Sequence, residues 1–132
     1  MDKRPMVLVV DDDPDFAEAT KMVLESRDYQ VLTALSAEEG LRKAREEKPD
    51  LIVLDVIMPL KDGFTVCGQL KSDAALSKIP VIILTSLSQR VGESTVAMSQ
   101  GLAMEAEDYL DKPVDPQVLL GKVEKLLQKS KL

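Results

Sequence analysis

Short apolar runs alternate along this chain with longer stretches in which apolar residues recur every three or four positions. The runs predicted as strands cover residues 6–10, 29–33, 51–54, 81–84 and 109–110. Continuous apolar runs rich in β-branched residues are typical of strands buried on both faces, and the longer spacing is typical of helices. The pattern predicts five strands alternating with five helices, in a parallel sheet with right-handed crossovers and helices on both faces.

Three of the predicted helices begin at recognisable capping residues. Asp13-Pro14 and Asp115-Pro116 each place an acidic N-cap before a proline in the first helical position. Ser36 and Glu39 form a capping box for the second helix. The faces expected to be buried comprise Phe16, Ala17, Thr20, Val23 and Leu24 in a first helix ending near Arg27, Ala37, Leu41 and Ala44 in the second, Val66, Cys67 and Leu70 in the third, and Leu119, Val123, Leu126 and Leu127 in the last.

Length and charge narrow the class of protein. A chain of 132 residues is in the size range of one compact domain. Its 17 basic and 23 acidic residues give a net charge of -6, which opposes direct binding to nucleic acid or to an anionic membrane surface. There is no apolar stretch long enough to span a bilayer, and residues 1–5 lack the apolar core of a secretory signal. We therefore expect a cytoplasmic protein.

The residues that carry chemistry stand where predicted strands end. Asp11 and Asp12 follow the first strand, Asp55 the third and Thr85 the fourth, while Lys112 lies between the fifth strand and Pro113. The carboxyl ends of parallel strands meet at one sheet edge, where open α/β sheets bind ligands. Three carboxylates at one place repel each other unless a hard cation joins them, and a lysine beside them suits an anionic group such as a phosphoryl. The arrangement predicts a Mg²⁺-assisted phosphate site.

Each of these residues also has an ordinary structural interpretation. Helix capping requires only Asp13 of the acidic triplet, and an aspartate such as Asp55 is common in turns. Thr85 is a usual strand residue, and most lysines are solvated. The chain contains no histidine, so any phosphohistidine in its chemistry belongs to a partner. Cys67 is the only cysteine, which excludes an internal disulfide.

Five strings resemble the receiver domains of two-component response regulators, in the family's order and across the whole chain. They are VVDDDP at 9–14, LDVIMP at 54–59, DGF at 62–64, LTS at 84–86 and DYLDKP at 108–113. The resemblance implies a flavodoxin-like, doubly wound sheet of five parallel strands in the order 2-1-3-4-5. It also implies a single receiver domain over residues 1–132, with a core of about residues 5–129 and no output domain in the chain.

The resemblance assigns a role to each strand-end residue. Asp55 is expected to be the phosphoacceptor, which takes the phosphoryl group from a phosphohistidine. Asp12 and Asp55 are expected to bind Mg²⁺ directly with the backbone carbonyl of Ile57, and Asp11 through a metal-bound water. Lys112 is expected to pair with a phosphoryl oxygen. The chain would then be a signalling phosphoacceptor rather than an enzyme that turns over a substrate.

The same resemblance implies a conformational switch and its partners. Thr85 would move toward the new phosphoryl group, and Tyr109 would occupy the space that this movement leaves. The expected partners are a sensor histidine kinase or phosphotransfer protein, and a downstream protein or covalently linked output domain. A homodimer that forms on phosphorylation is a further expectation.

One segment departs from the family pattern, and two other functional classes stay open. Seven residues separate Gly101 from Tyr109, about one helical turn more than receiver domains usually have, and their composition favours a longer fourth helix. A Mg²⁺ phosphatase of the haloacid dehalogenase type would share the strand-end aspartate, threonine and lysine. Asp11 and Asp13 imitate its acid-x-acid opening, but Pro14 and Asp15 do not continue it. The other class is a pseudo-receiver, an interaction module that has lost phosphotransfer.

Overall fold

The computed structural model describes residues 4–55, 63–85, 108–111 and 115–130, in which strands and helices alternate. The strands are β1 (Met6–Val10), β2 (Gln30–Ala34), β3 (Leu51–Asp55), β4 (Val81–Thr85) and β5 (Asp108–Asp111). The helices within the described residues are α1 (Pro14–Glu25), α2 (Ala37–Glu47), α3 (Gly63–Ser72) and α4 (Pro116–Ser130). The helical stretch predicted between β4 and β5, with the extra turn after Gly101, lies outside the described residues.

The five strands form one parallel sheet in the order β2-β1-β3-β4-β5. This order agrees with the flavodoxin-like arrangement that the sequence implied. The strand order reverses between β1 and β3, whose last paired residues are Val10 and Leu54. The residues that follow this pair lie at the topological switch point, the usual ligand-binding place of such sheets.

Both faces of the sheet are buried, which explains why its central strands are continuously apolar rather than alternating. Residues 7–9 of β1 and 51–54 of β3 have no exposed surface. Along each strand, successive side chains enter opposite cores. One core contains Leu8, Val10, Ile52, Leu54 and Ile83 with residues of α2 and α3. The other contains Val7, Val9, Leu51, Val53, Ile82 and Leu84 with residues of α1 and α4.

The helices bury most of the faces predicted from their periodicity. The fully buried members are Ala17, Thr20, Leu24, Ala37, Leu41, Ala44, Leu70, Leu119, Val123 and Leu127, whereas Phe16, Val23 and Leu126 are half-buried. The side chains of Val66 and Cys67 lie outside the described part of the structure. No helix within the described ranges is both long and apolar enough to cross a membrane.

Several element boundaries differ from the prediction by one or two residues: β3 and β4 each end one residue later, β5 is one residue longer at each end, and α1 and β2 differ as follows. Helix α1 ends at Glu25 instead of near Arg27, because the chain turns at residues 26–28, where Asp28 adopts a left-handed backbone with φ 67°. Strand β2 begins at Gln30 and continues to Ala34, one residue beyond the expected end. Ala34 pairs with Val10, and its carbonyl oxygen accepts the N–H of Asp11 at 2.9 Å. Pairing with β1 therefore extends the strand past its apolar stretch.

Candidate functional site

Three carboxylates meet at the carboxyl-terminal edge of the sheet, beside β1 and β3. Asp11, Asp12 and Asp55 each offer an oxygen that lies within 4.8 Å of those of the other two. Asp11 follows β1 directly and Asp55 is the last residue of β3, so the parallel pairing of these strands places them side by side. The predicted acidic group is therefore assembled by adjacent strand ends.

Burial distinguishes the three acids. Asp11 is 0% exposed and Asp55 is 2% exposed, while Asp12 faces solvent. A carboxylate removed from water is costly unless hydrogen bonds or a cation compensate for the lost hydration. Asp11 accepts a hydrogen bond on Oδ1 from the N–H of Asp13 at 2.9 Å, and both buried acids have further interactions. The site thus holds two acids inside the protein and one at its surface.

This donor set suits a small divalent cation. Mg²⁺ prefers oxygen ligands, usually binds through one or two carboxylates and retains several waters. Two buried carboxylates beside an exposed one offer such ligands and leave one side open to solvent. The chemistry of the cluster therefore fits Mg²⁺.

Of the other predicted site residues, the structure describes the backbone of Thr85 at this edge and the backbone of Tyr109 within β5. Thr85 ends β4, and its backbone is in register with Asp111 of β5. Tyr109 lies in β5 opposite Ile83. Lys112 and Ile57 lie outside the described residues, as do the side chains of Thr85 and Tyr109. The backbone of Thr85 thus lies at the carboxyl end of β4, next to β3, and the residue before Lys112 lies at the carboxyl end of β5, on the far side of β4.

The first turn of α1 contains a contact that sequence reasoning missed. Asp13 was predicted as a helix cap, and its Oδ1 accepts the N–H groups of Asp15 at 3.0 Å and Phe16 at 3.3 Å. Its own N–H, however, donates to Asp11. An aspartate often accepts a hydrogen bond from the amide two residues later, so the Asp-x-Asp spacing was the available signal.

The loop from β2 to α2 is fixed by the predicted capping box. Ser36 Oγ accepts the N–H of Glu39 at 3.1 Å, and Glu39 Oε1 accepts the N–H of Leu35 at 2.8 Å. The hydrogen bond from Leu35, together with the nearby Lys43 ammonium, holds the pKa of Glu39 below its ordinary value despite some desolvation. The capping box therefore fixes the start of α2 after β2.

Two other titratable or concave features lie away from the acids. Burial, reinforced by the charge of Glu124, raises the pKa of Tyr29, which lies at the start of β2. A groove of about 610 Å³ separates α2 from α3 and is lined by Glu38, Leu41, Arg45, Gln69, Ser72 and Asp73. None of the three clustered acids lines this groove.

Comparison with known proteins identifies the family to which this fold and site belong. Residues 7–124 match the family model described as the response regulator receiver domain. The chain belongs to this receiver domain family. The strings that suggested the resemblance therefore reflect family membership, and the haloacid dehalogenase alternative loses its support.

Individual proteins that are similar to this chain support its assignment to the family. The chain is 38% identical over 126 residues to the DNA-binding dual master transcriptional regulator RpaA of Synechocystis sp., and spans 96% of its own length but 50% of RpaA. It is 40% identical over 121 residues to Protein PilH of Pseudomonas aeruginosa, with 92% of the chain and 96% of PilH covered. The chain thus spans half of one receiver relative and nearly all of another.

Solved receiver structures share the fold. A CheY-like response regulator receiver domain protein from Methanospirillum hungatei superposes with a TM-score of 0.85 at 29% identity, covering 98% of each chain. Receiver domains are signalling modules of response regulators, which interact with histidine kinases and downstream effectors, and they typically bind Mg²⁺ at an aspartate cluster. The cluster of Asp11, Asp12 and Asp55 has the composition and position of such a site.

Proposed function

We propose that this chain is the phosphoacceptor switch of a two-component phosphorelay and that Asp55 receives the phosphoryl group. The observation that carries the proposal is the burial of Asp55 at the end of β3, within 4.8 Å of two other acids. A carboxylate at the topological switch point stands where open α/β sheets bind their ligands. The chain's membership of the receiver domain family supports phosphoryl transfer as the chemistry of this carboxylate.

The transfer is a displacement at phosphorus. A carboxylate oxygen of Asp55 attacks the phosphorus of a phosphohistidine on a kinase or phosphotransfer protein, and a new O–P bond forms. The N–P bond breaks, its electron pair returns to the imidazole nitrogen, and that nitrogen takes up a proton. The product on this chain is an acyl phosphate. Two acids beside the acceptor repel the incoming phosphoryl oxygens, so the transfer needs positive charge nearby.

Mg²⁺, when bound at the three acids, would supply part of that charge. Asp12 and Asp55 would hold the ion directly together with the backbone carbonyl of Ile57, and Asp11 would act through water. Lys112 pairs with a phosphoryl oxygen. Thr85 then moves toward the phosphoryl group, and Tyr109 follows this movement. These movements of Thr85 and Tyr109 change the surface of the protein in response to the new phosphoryl charge.

The partners follow from these roles. The phosphoryl donor is a sensor histidine kinase or phosphotransfer protein. The phosphorylated chain then acts on a downstream protein, on a linked output domain or on a second phosphorylated copy. We place the reaction in the cytoplasm. RpaA is named as a DNA-binding protein, but the net charge of -6 argues that the present residues do not themselves contact nucleic acid.

Labelling with a small phosphodonor tests the proposal. The protein is incubated with acetyl phosphate and Mg²⁺, and intact mass spectrometry measures the gain of one phosphoryl group. We expect labelling of the wild type, none of Asp55→Asn, and none when EDTA removes the metal. Equal labelling of Asp55→Asn would refute the assignment. A folded wild type that binds Mg²⁺ but accepts no phosphoryl group, from either acetyl phosphate or a kinase, would instead indicate a pseudo-receiver.

Asp28→Asn is the matched control for this experiment. Asp28 lies in the turn before β2, at the opposite edge of the sheet from the three acids. Its left-handed backbone, with φ 67°, is one that asparagine adopts readily. The control therefore makes the same chemical change without disturbing the site or the turn, and we expect full labelling.

A further inference from the structure

Asp13 connects the acidic site to the first turn of α1. Its Oδ1 accepts the N–H groups of Asp15 at 3.0 Å and Phe16 at 3.3 Å, and its carbonyl oxygen accepts the N–H of Ala17 at 2.9 Å. The two bonds to Oδ1 satisfy amides that a helix start would otherwise leave without partners. Together the three bonds fix the position of Asp13 relative to the helix.

The N–H of Asp13 points from this fixed position to Asp11. It donates to Asp11 Oδ1 at 2.9 Å, while the N–H of Asp11 donates to the carbonyl oxygen of Ala34 at 2.9 Å. Asp11 is therefore held at its backbone by β2 and at its side chain by the start of α1. Because Asp11 is 0% exposed, loss of this amide donor leaves a buried carboxylate with one hydrogen bond fewer.

The carboxylate of Asp13 caps a helix, whereas those of Asp11 and Asp12 belong to the acidic cluster. Among the described residues, the clustered acids are Asp11, Asp12 and Asp55, and Asp13 Oδ1 is engaged by two helix amides. Apart from its charge, Asp13 is connected to the site by its backbone N–H. A side chain that caps the helix equally well would serve the same purpose without any charge.

We infer that Asp13 is a positioning residue for the metal site: by capping α1 it fixes the N–H that orients the carboxylate of Asp11. This inference rests on the proposed function, because it concerns how the same acids bind Mg²⁺. Loss of the cap lets the first helical turn fray and frees the backbone of residue 13, including the N–H that donates to Asp11. Residues that orient metal ligands commonly change affinity by 10-fold or more when they are removed.

The decisive comparison is Asp13→Ser against Asp13→Ala. Both variants lose the negative charge and are similar in size, but only serine keeps an oxygen that caps the helix. Mg²⁺ alone is titrated into each protein, and the dissociation constant is obtained from the amide shifts of residues 11–13 by NMR. We expect Asp13→Ala to bind Mg²⁺ roughly 10-fold more weakly than Asp13→Ser. Asp13→Asn, also a good cap, should resemble the serine variant.

Ser36→Ala separates metal positioning from helix stability. Ser36 caps α2 by accepting the N–H of Glu39, so its loss also lowers the unfolding temperature. We expect it to leave the Mg²⁺ affinity within about twofold of the wild type, since Ser36 is bonded to none of the three acids. All affinities are measured at a temperature at which circular dichroism shows each variant to be folded.

Each outcome has a distinct meaning. Equal Mg²⁺ affinity of Asp13→Ser and Asp13→Ala, with normal wild-type binding, overturns the role of Asp13 and leaves the proposed function intact. A loss of the same size in Ser36→Ala also overturns it, since any destabilised helix would then have the same effect. A wild type that does not bind Mg²⁺ contradicts the proposed function and this inference together.

Discussion

Gly40→Ala tests the close packing of α2 against the strand that leads into the acidic site. A Cβ added at Gly40 would lie 2.9 Å from both γ carbons of Val10. Val10 is 2% exposed and immediately precedes Asp11. Its branched side chain is stiff about χ1 and has buried neighbours, so it has little freedom to move aside. The substitution therefore forces α2 away from β1 or strains Val10.

Two opposing effects determine the magnitude. Alanine is favoured over glycine within a helix by about 1 kcal/mol. Overpacking a well-filled core costs about 1–3 kcal/mol. Because the added methyl meets two atoms of a stiff, buried side chain, we take the middle of the second range, about 2 kcal/mol. The net expectation is a loss of about 1 kcal/mol in the free energy of unfolding.

Gly121→Ala is the matched control because it makes the same change in a helix without a close neighbour. A Cβ at Gly121, in α4, would meet nothing within 4 Å. Only the propensity effect remains, so this variant should be stabilised by up to about 1 kcal/mol. The two alanine variants should then differ by about 2 kcal/mol, with opposite signs relative to the wild type.

Urea unfolding followed by far-UV circular dichroism measures this difference, since the chain has no tryptophan to report by fluorescence. Equal stabilisation by Gly40→Ala and Gly121→Ala would refute the steric argument. A double-mutant cycle identifies the partner: in a Val10→Ala background, Gly40→Ala should no longer destabilise the protein. If its cost were unchanged in that background, the clash would lie elsewhere.

Two further predictions concern charge. Asp12→Asn removes the exposed member of the acidic cluster, so without Mg²⁺ it should not lower the unfolding temperature. It should, however, reduce the stabilisation of the fold by Mg²⁺. For the wild type, this stabilisation is about 2.7 kcal/mol when the Mg²⁺ concentration is 100 times the dissociation constant. An equal gain for both proteins in thermal unfolding would contradict this. The lowered pKa of Glu39 means that its ionised form stabilises the fold above its ordinary value of 4.5, and that this contribution is lost as pH falls through the lowered pKa. The free energy of unfolding of the wild type should therefore exceed that of Glu39→Gln by less below pH 4.5 than above it, and the exposed Glu38→Gln is the control. Urea unfolding from pH 7 to pH 3 measures this difference. A difference that stays constant would show that the hydrogen bond from Leu35 does not stabilise the ionised form of Glu39.

The elements that could be predicted from sequence are those in which local pattern and burial agree. The apolar stretch of β1, the proline after Asp13 and the capping box at Ser36 each carry a signal that depends on a few neighbouring residues. Their structures follow that signal. The end of α1 and the extension of β2 to Ala34 were missed, because a turn with positive φ and pairing with β1 are decided by contacts outside the local window.

The candidate site likewise has some features that the sequence predicts and others that it does not. Residue type and placement at strand ends sufficed to select Asp11, Asp12 and Asp55, since a polar residue after a buried strand stands out in the sequence. The hydrogen bond from Asp13 to Asp11 and the different burial of the acids did not follow from the pattern. Both depend on how the first turn of α1 and the end of β2 meet the end of β1.

By itself, the sequence determined the class of fold, the edge of the sheet that carries the candidate site and the acidic residues that gather there, because hydrophobic periodicity and strand-end polarity are local properties. Only the tertiary structure decided that oxygens of the three acids lie within 4.8 Å of one another, and that Asp11 and Asp55 are buried while Asp12 is exposed. It also decided that α2 packs on Val10 through Gly40 and that Asp11 is held from two sides. Such distances arise from the packing of whole elements, which no short stretch of sequence contains.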